Sequence, residues 1–102
     1  MEISYRKDRS VLTMYFKGEL DECASLAARQ TMEVIIYANT FRTLILDLKE
    51  LTFMDSTGIG VLIGRYKQLK ARGISTYTVN VNENADKIFR MSGLYDIFPL
   101  LD

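Results

Sequence analysis

Histidine is absent from this chain, and with it the side chain that most often serves as general base or metal ligand near neutral pH. Zinc sites and Ser-His-Asp catalysis are therefore out of reach. A single cysteine, Cys23, cannot form an internal disulfide, and a lone thiol of this kind is expected to be a small buried apolar residue rather than a reactive group. No apolar stretch approaches the ~20 residues that cross a bilayer. The opening Met1-Glu2-Ile3-Ser4-Tyr5-Arg6-Lys7 has no signal-peptide hydrophobic region. Neither charge dominates, since 13 basic residues balance 13 acidic ones and the basic residues form no long run. Nucleic acid and anionic membrane are thus poor candidates as partners. These absences predict a cytoplasmic protein without direct membrane insertion. Its 102 residues give room for one domain with one core.

What is present is an alternation of strand and helix signals. Val11-Leu12-Thr13-Met14-Tyr15-Phe16 is rich in β-branched and aromatic residues and ends at Lys17-Gly18. It predicts a strand that pairs with Ile3–Arg6 across Lys7–Ser10. Asp21 stands where a helix N-cap belongs, and from Glu22 to about Ala38 the residues Ala28, Met32, Ile35 and Ile36 recur at helical spacing. Thr43-Leu44-Ile45-Leu46-Asp47-Leu48 is nearly continuously apolar, the pattern of a strand buried on both faces in a parallel sheet. A second helix is expected from Ser56 to about Arg72, with Ile59, Leu62, Ile63, Tyr66 and Leu69 on one face and Gly73 as its stop. The basic residues Arg65, Lys67, Lys70 and Arg72 gather toward its C-terminal end, where the helix dipole favours them. Ile74–Val81 reads as a further strand, Asn82 as the N-cap of a short helix ending near Ser92 and Gly93, and Ile97-Phe98 as a last edge strand before Pro99. Strands alternating with helices in this order predict an α/β fold with a mixed, mostly parallel sheet. The loops at the carboxyl ends of its parallel strands, Gly18–Glu22, Lys49–Ser56 and Asn80–Glu83, form the expected binding edge.

The most informative stretch is Phe53-Met54-Asp55-Ser56-Thr57-Gly58-Ile59-Gly60, which sets a serine between an acid and glycines at the start of a helix. First-turn N–H groups lack intrahelical acceptors and carry the positive end of the dipole, so a phosphate on Ser56 would meet a receptive site. Asp55 as N-cap would fix where the hydroxyl points. A phosphate would then add a second anion beside Asp55, enough to remove a docking site by repulsion without unfolding the domain. The same four residues are also what a plain helix cap requires. Gly58, Gly60 and Gly64 each cost a helix roughly 1 kcal/mol against alanine, so their clustering suggests close approach of another group. Sheet packing is expected at Gly60 and Gly64, and partner approach at Gly58. Of Ile59 and Val61, on different sides of the helix, one is expected to remain exposed as an apolar docking contact.

Gly18-Glu19-Leu20-Asp21, the run Leu44–Leu48 ahead of Phe53–Leu62, Gly64-Arg65-Tyr66-Lys67 and Phe89-Arg90-Met91-Ser92-Gly93-Leu94 together resemble the STAS-domain anti-sigma factor antagonists, and within them the sporulation branch. The resemblance spans residues 1–102 as one STAS domain. It implies a partner-switching protein that is not an enzyme and carries neither cofactor nor metal. In that family the unphosphorylated antagonist binds an anti-sigma factor serine kinase and frees a sigma factor. Phosphorylation of the serine matching Ser56 ends the interaction, and a PP2C-type phosphatase resets it. Asp21 matches an acidic residue expected to help dock the partner, and Asp55, Thr57, Gly58 and Ile59 complete the partner-binding set around Ser56. Thr57 matches a position that is not the phosphorylated one.

Family members usually continue into another helix after the segment matching Ile97–Asp102. Lacking it, the chain is expected to bare Leu26, Val34 and Tyr37 and to self-associate weakly. Other readings are an accessory subunit of a lipid transporter or a stress-signalling scaffold of the same fold. Asp55-Ser56-Thr57-Gly58 also faintly resembles the motif of homodimeric aspartic peptidases, but an extra residue breaks that spacing and a helix follows where a β-rich fold is needed. Asp47 with Asp55 falls short of a phosphoaspartate receiver, whose further acidic residues and later lysine have no convincing match.

Overall fold

The opening hairpin is longer and tighter than the composition suggests. In the computed structural model, which describes Met1–Leu101, β1 (Glu2–Asp8) and β2 (Val11–Leu20) pair antiparallel from Glu2 opposite Lys17 to Asp8 opposite Val11, leaving only Arg9 and Ser10 in the turn. Arg9 adopts φ 56, a left-handed conformation that arginine rarely takes and a two-residue hairpin commonly demands. The chain continues as α1 (Glu22–Ala38), β3 (Thr43–Met54), α2 (Ser56–Ala71), β4 (Ser75–Val79), α3 (Glu83–Ser92) and a short 3-10 turn at Leu94–Asp96. The strands lie in the order β1-β2-β3-β4, with β2, β3 and β4 mutually parallel.

Strand β3 corrects the expectation of burial on both faces. Leu44, Leu46 and Leu48 are buried, whereas the alternating Thr43, Ile45 and Asp47 are only half-buried. Register carries this alternation across the sheet, since Leu12 lies beside Leu44, Met14 beside Leu46, and Thr76 and Thr78 beside the same two leucines. All of these are buried. Their alternates Thr13, Tyr15, Ile45, Tyr77 and Val79 are not. The core therefore sits on one face, where α1 packs on β1 and β2, α2 on β3 and β4, and α3 on β3. Periodicity misled here because Ile45 and Val79 are β-formers that suit a pleated surface whether or not a layer covers it.

Strands β2 and β3 also run further than expected. Their pairing continues to Leu20 beside Met54, with register shifts between Tyr15 and Lys17 and between Gly18 and Glu19. At both shifts β3 carries the extra residue, which is the signature of a bulge. Asn82 holds the first bulge, its Nδ2 donating to the carbonyls of Leu48, Lys49 and Leu51 at 2.8, 3.0 and 2.7 Å. Two segments read as loops, Gly18–Glu22 and Lys49–Ser56, are thus mainly strand. Only the loop after β4 remains one.

Two further expectations change. Ile97-Phe98 is not a strand: Phe98 is fully buried, and the segment after the 3-10 turn is fastened to β4 at Thr78, whose N–H donates to Pro99 O at 2.8 Å and whose carbonyl accepts from Leu101 N at 2.8 Å. Ile97 itself has helical dihedrals, and Pro99 has no N–H to extend a ladder. Asp102 lies outside the described residues. Arg65 does not serve the α2 dipole; it is buried and pairs with Glu33 of α1 at 3.0 Å. Lys70 is the basic residue of the last turn.

Candidate functional site

The bulges deliver two strand ends side by side, and each strand is followed by the same device. Leu20 passes into Asp21 and Met54 into Asp55, both aspartates in extended conformation and both N-caps. Asp21 Oδ1 accepts from Ala24 N at 3.0 Å, and Asp55 Oδ1 accepts from Gly58 N at 3.0 Å. The caps are joined by a bond that links the two helices, since Asp55 Oδ2 accepts from Glu22 N, the first amide of α1, at 2.9 Å. Asp55 N in turn donates to Leu20 O at 3.4 Å. One carboxylate therefore serves the starts of two helices, whose dipoles converge on this edge of the sheet. The Asp55 carboxyl is held below its ordinary range, chiefly by the Gly58 N–H and less strongly by the Glu22 and Thr57 N–H groups, against a partial desolvation that acts the other way.

Ser56 and Thr57 occupy the first two positions of α2 and are exposed. Gly58, expected to face a partner, faces the protein: a Cβ there would collide with the carbonyl oxygen of Leu20 and meet Met54 Cγ at 2.8 Å and Leu20 Cγ at 2.9 Å. Gly60 and Gly64, expected to pack on the sheet, have nothing within 4 Å of a would-be Cβ. The assignment is reversed because the sheet-facing side of α2 is set by Gly58, Val61, Leu62, Arg65 and Leu69. Ile59 is half-buried against the core and Val61 is buried, so neither is a free apolar contact.

Asp21, Asp55, Ser56 and Thr57 thus share one surface, with Gly58 beneath it and Ile59 at its inner margin. Asp47 is elsewhere, on the open face of the sheet, its carboxylate accepting from Lys49 N at 3.1 Å and Asn80 Nδ2 at 2.8 Å. Sequence reasoning missed two nearby exposed residues. Cys23, expected to be buried, is exposed in the first turn of α1. Phe53 is exposed one residue before the end of β3. The only warning for Cys23 was its place beside an N-cap, where helix positions are still solvent-facing. Leu26, Val34 and Tyr37 have 60%, 67% and 67% of their surface exposed, as expected of the outer side of α1.

The edge carries hydroxyls, carboxylates and helix amides rather than an enclosed cleft. Among the described residues no group of three metal-binding side chains occurs, and no helix is long and apolar enough to cross a membrane.

The STAS-domain family model matches residues 2–102. The chain belongs to the STAS-domain family. It is similar to the anti-sigma F factor antagonist of Paenibacillus polymyxa, with 36% identity over 102 residues, covering all of this chain and 87% of that relative. Among solved structures, the STAS domain superposes on the unphosphorylated anti-sigma factor antagonist SpoIIAA with a TM-score of 0.79 at 27% identity, covering 99% of this chain and 89% of that one. It also superposes on the Bacillus cell fate determinant SpoIIAA in the phosphorylated form, with a TM-score of 0.71 at 27% identity, covering 99% and 92%. The STAS fold accounts for the mixed sheet, and the α2 start described above presents the exposed hydroxyls of Ser56 and Thr57.

Proposed function

We propose that this STAS domain is an anti-sigma factor antagonist switched by phosphorylation of Ser56. The carrying observation is the exposed Ser56 in the first turn of α2, beside the Asp55 carboxylate and above two converging helix starts. Similarity to antagonists, one of them solved with and without phosphate, supports the same reading. In the unphosphorylated state the surface of Asp21, Asp55, Ser56, Thr57 and the margin at Ile59 docks an anti-sigma factor that is itself a serine kinase, and the sigma factor is released. Gly58 contributes from below by letting α2 approach Leu20.

In the kinase, Ser56 Oγ forms a bond to the γ-phosphorus of ATP as the bond to ADP breaks, and the hydroxyl proton passes to a base of the kinase. The product carries up to two more negative charges next to Asp55, and like-charge repulsion with desolvation ends docking. A PP2C-type serine phosphatase hydrolyses the ester. ATP and metal belong to those partners, and this chain supplies only the hydroxyl and its surroundings, in the cytoplasm. Weak self-association through Leu26, Val34 and Tyr37 is a further expectation, which a mass that stays monomeric at every concentration in sedimentation would remove.

The test is incubation with ATP and an anti-sigma serine kinase, reading intact mass for wild type, Ser56→Ala and Thr57→Ala. One added phosphate in wild type and Thr57→Ala, and none in Ser56→Ala, is expected. No modification of wild type would overturn the switch and favour the transporter-accessory or scaffold reading.

A further inference from the structure

An N-cap carboxylate ordinarily serves its own helix, through one oxygen and an amide two or three residues on. Asp55 does this with Oδ1 to Gly58 N, but its second oxygen takes the first amide of a different helix, 33 residues earlier in the chain. Glu22 N is an orphan donor that would otherwise face solvent, because the first-turn amides of α1 have no intrahelical acceptor and the Asp21 cap uses Oδ1 for Ala24 N. The tie therefore has a defined donor, a defined acceptor and no local substitute.

We infer that Asp55 is a positioning residue that latches the first turn of α1 to the first turn of α2, so that the surface around Ser56 meets its kinase as one preformed unit. The functional half of this inference rests on the phosphoswitch reading above. Without the latch, the α1 start that carries Asp21 is free to move relative to Ser56, and docking must order it first, a cost that raises KM and leaves the phosphoryl-transfer step itself unchanged. Asp55 does not touch the transferred phosphate in this scheme. It acts through the relative placement of two helix starts.

Two substitutions cut the same bond from opposite sides. Asp55→Asn retains one carbonyl oxygen and so can serve one helix start but not both. Glu22→Pro deletes the donor while keeping α1, because proline is well tolerated at the first helical position and the preceding Asp21 is already extended. Glu22→Ala controls for loss of the glutamate side chain. We expect Asp55→Asn to speed hydrogen exchange at the Glu22 or Gly58 amide, not both, by about fivefold, the scale of one lost solvent-accessible hydrogen bond. Glu22→Pro is expected to raise KM for phosphorylation by a similar factor at unchanged kcat, Glu22→Ala to leave both alone, and the Asp55→Asn, Glu22→Pro double variant to be no worse than the poorer single one.

Unchanged exchange at both amides in Asp55→Asn would overturn the latch. Additive losses in the double variant, or equal KM for Glu22→Pro and wild type, would overturn its positioning role. If the kinase modifies no form, wild type included, the phosphoswitch reading and the positioning role fall together, and the exchange rates alone decide whether the latch exists.

Discussion

Gly58 lies against the carbonyl of Leu20 so closely that a methyl group could not be placed between them. The contact lets α2 begin directly over the end of β2, which in turn brings Asp55 within reach of the α1 start. Gly58→Ala must push α2 outward against backbone, and we expect it to lower stability by about 2 kcal/mol, within the range for overpacked sites. Gly60→Ala and Gly64→Ala meet open space and should each stabilise the isolated domain by about 0.5–1 kcal/mol through helix propensity. Chemical denaturation of the three variants separates these signs.

Asn82 is both the N-cap of α3, through Oδ1 to Ala85 N at 2.9 Å, and the donor to three carbonyls of β3. Asn82→Asp keeps the cap and replaces the donor with an acceptor aimed at those carbonyls. We expect a loss of about 3 kcal/mol, from several unmade hydrogen bonds and a carboxylate facing carbonyl oxygens. Asn82→Ser should cost less. Urea midpoints at constant m-value report the difference.

The Arg65–Glu33 pair is asymmetric, with the arginine side chain 9% exposed and the glutamate 33%. Glu33→Gln leaves a buried guanidinium without its counter-charge and is expected to cost about 2 kcal/mol, below the usual 3–5 for a fully buried pair because the glutamate side is partly solvated. Arg65→Met, which replaces the charge with an apolar chain of similar length, should stay within about 1 kcal/mol of wild type. Thermal unfolding of both variants and of the double variant gives the coupling.

Stability should fall at both extremes of pH for identifiable reasons. Asp55 and Asp86 are depressed below their ordinary 3.8, Asp55 mainly by the Gly58 N–H and Asp86 mainly by the Tyr95 hydroxyl at 2.6 Å. In each case the folded state holds the proton less tightly than the unfolded chain, so the stabilisation is present above 3.8 and is lost as pH falls through the lowered folded value. Tyr95 is pushed from 10.0 to about 12 by burial and by its bond to Asp86. Its contribution is complete below pH 10.0 and is lost as pH rises toward 12. Tyr95→Phe should remove the alkaline loss and lessen the acid loss that Asp86 causes, as measured by unfolding midpoints from pH 2 to 12.

The amino-acid sequence alone determined the helix limits and their caps. Asp21, Asp55 and Asn82 each accept an amide three residues on, and Gly93 closes α3 with φ 78. Capping and periodicity act within about four residues along the chain, so side-chain chemistry and spacing suffice to read them. The placement of a serine beside an N-cap aspartate was legible for the same reason, whereas its exposure was not. Only tertiary structure decided the rest. The one-sided sheet, the bulges that lengthen β2 and β3, and the reversal of roles between Gly58 and its neighbours Gly60 and Gly64 all follow from strand register and helix placement. So does the bond from Glu22 to Asp55, which joins two first turns that are strangers in sequence. Register depends on what lies across the sheet, and which face of a helix is inward depends on what it packs against, so neither is written in the local pattern.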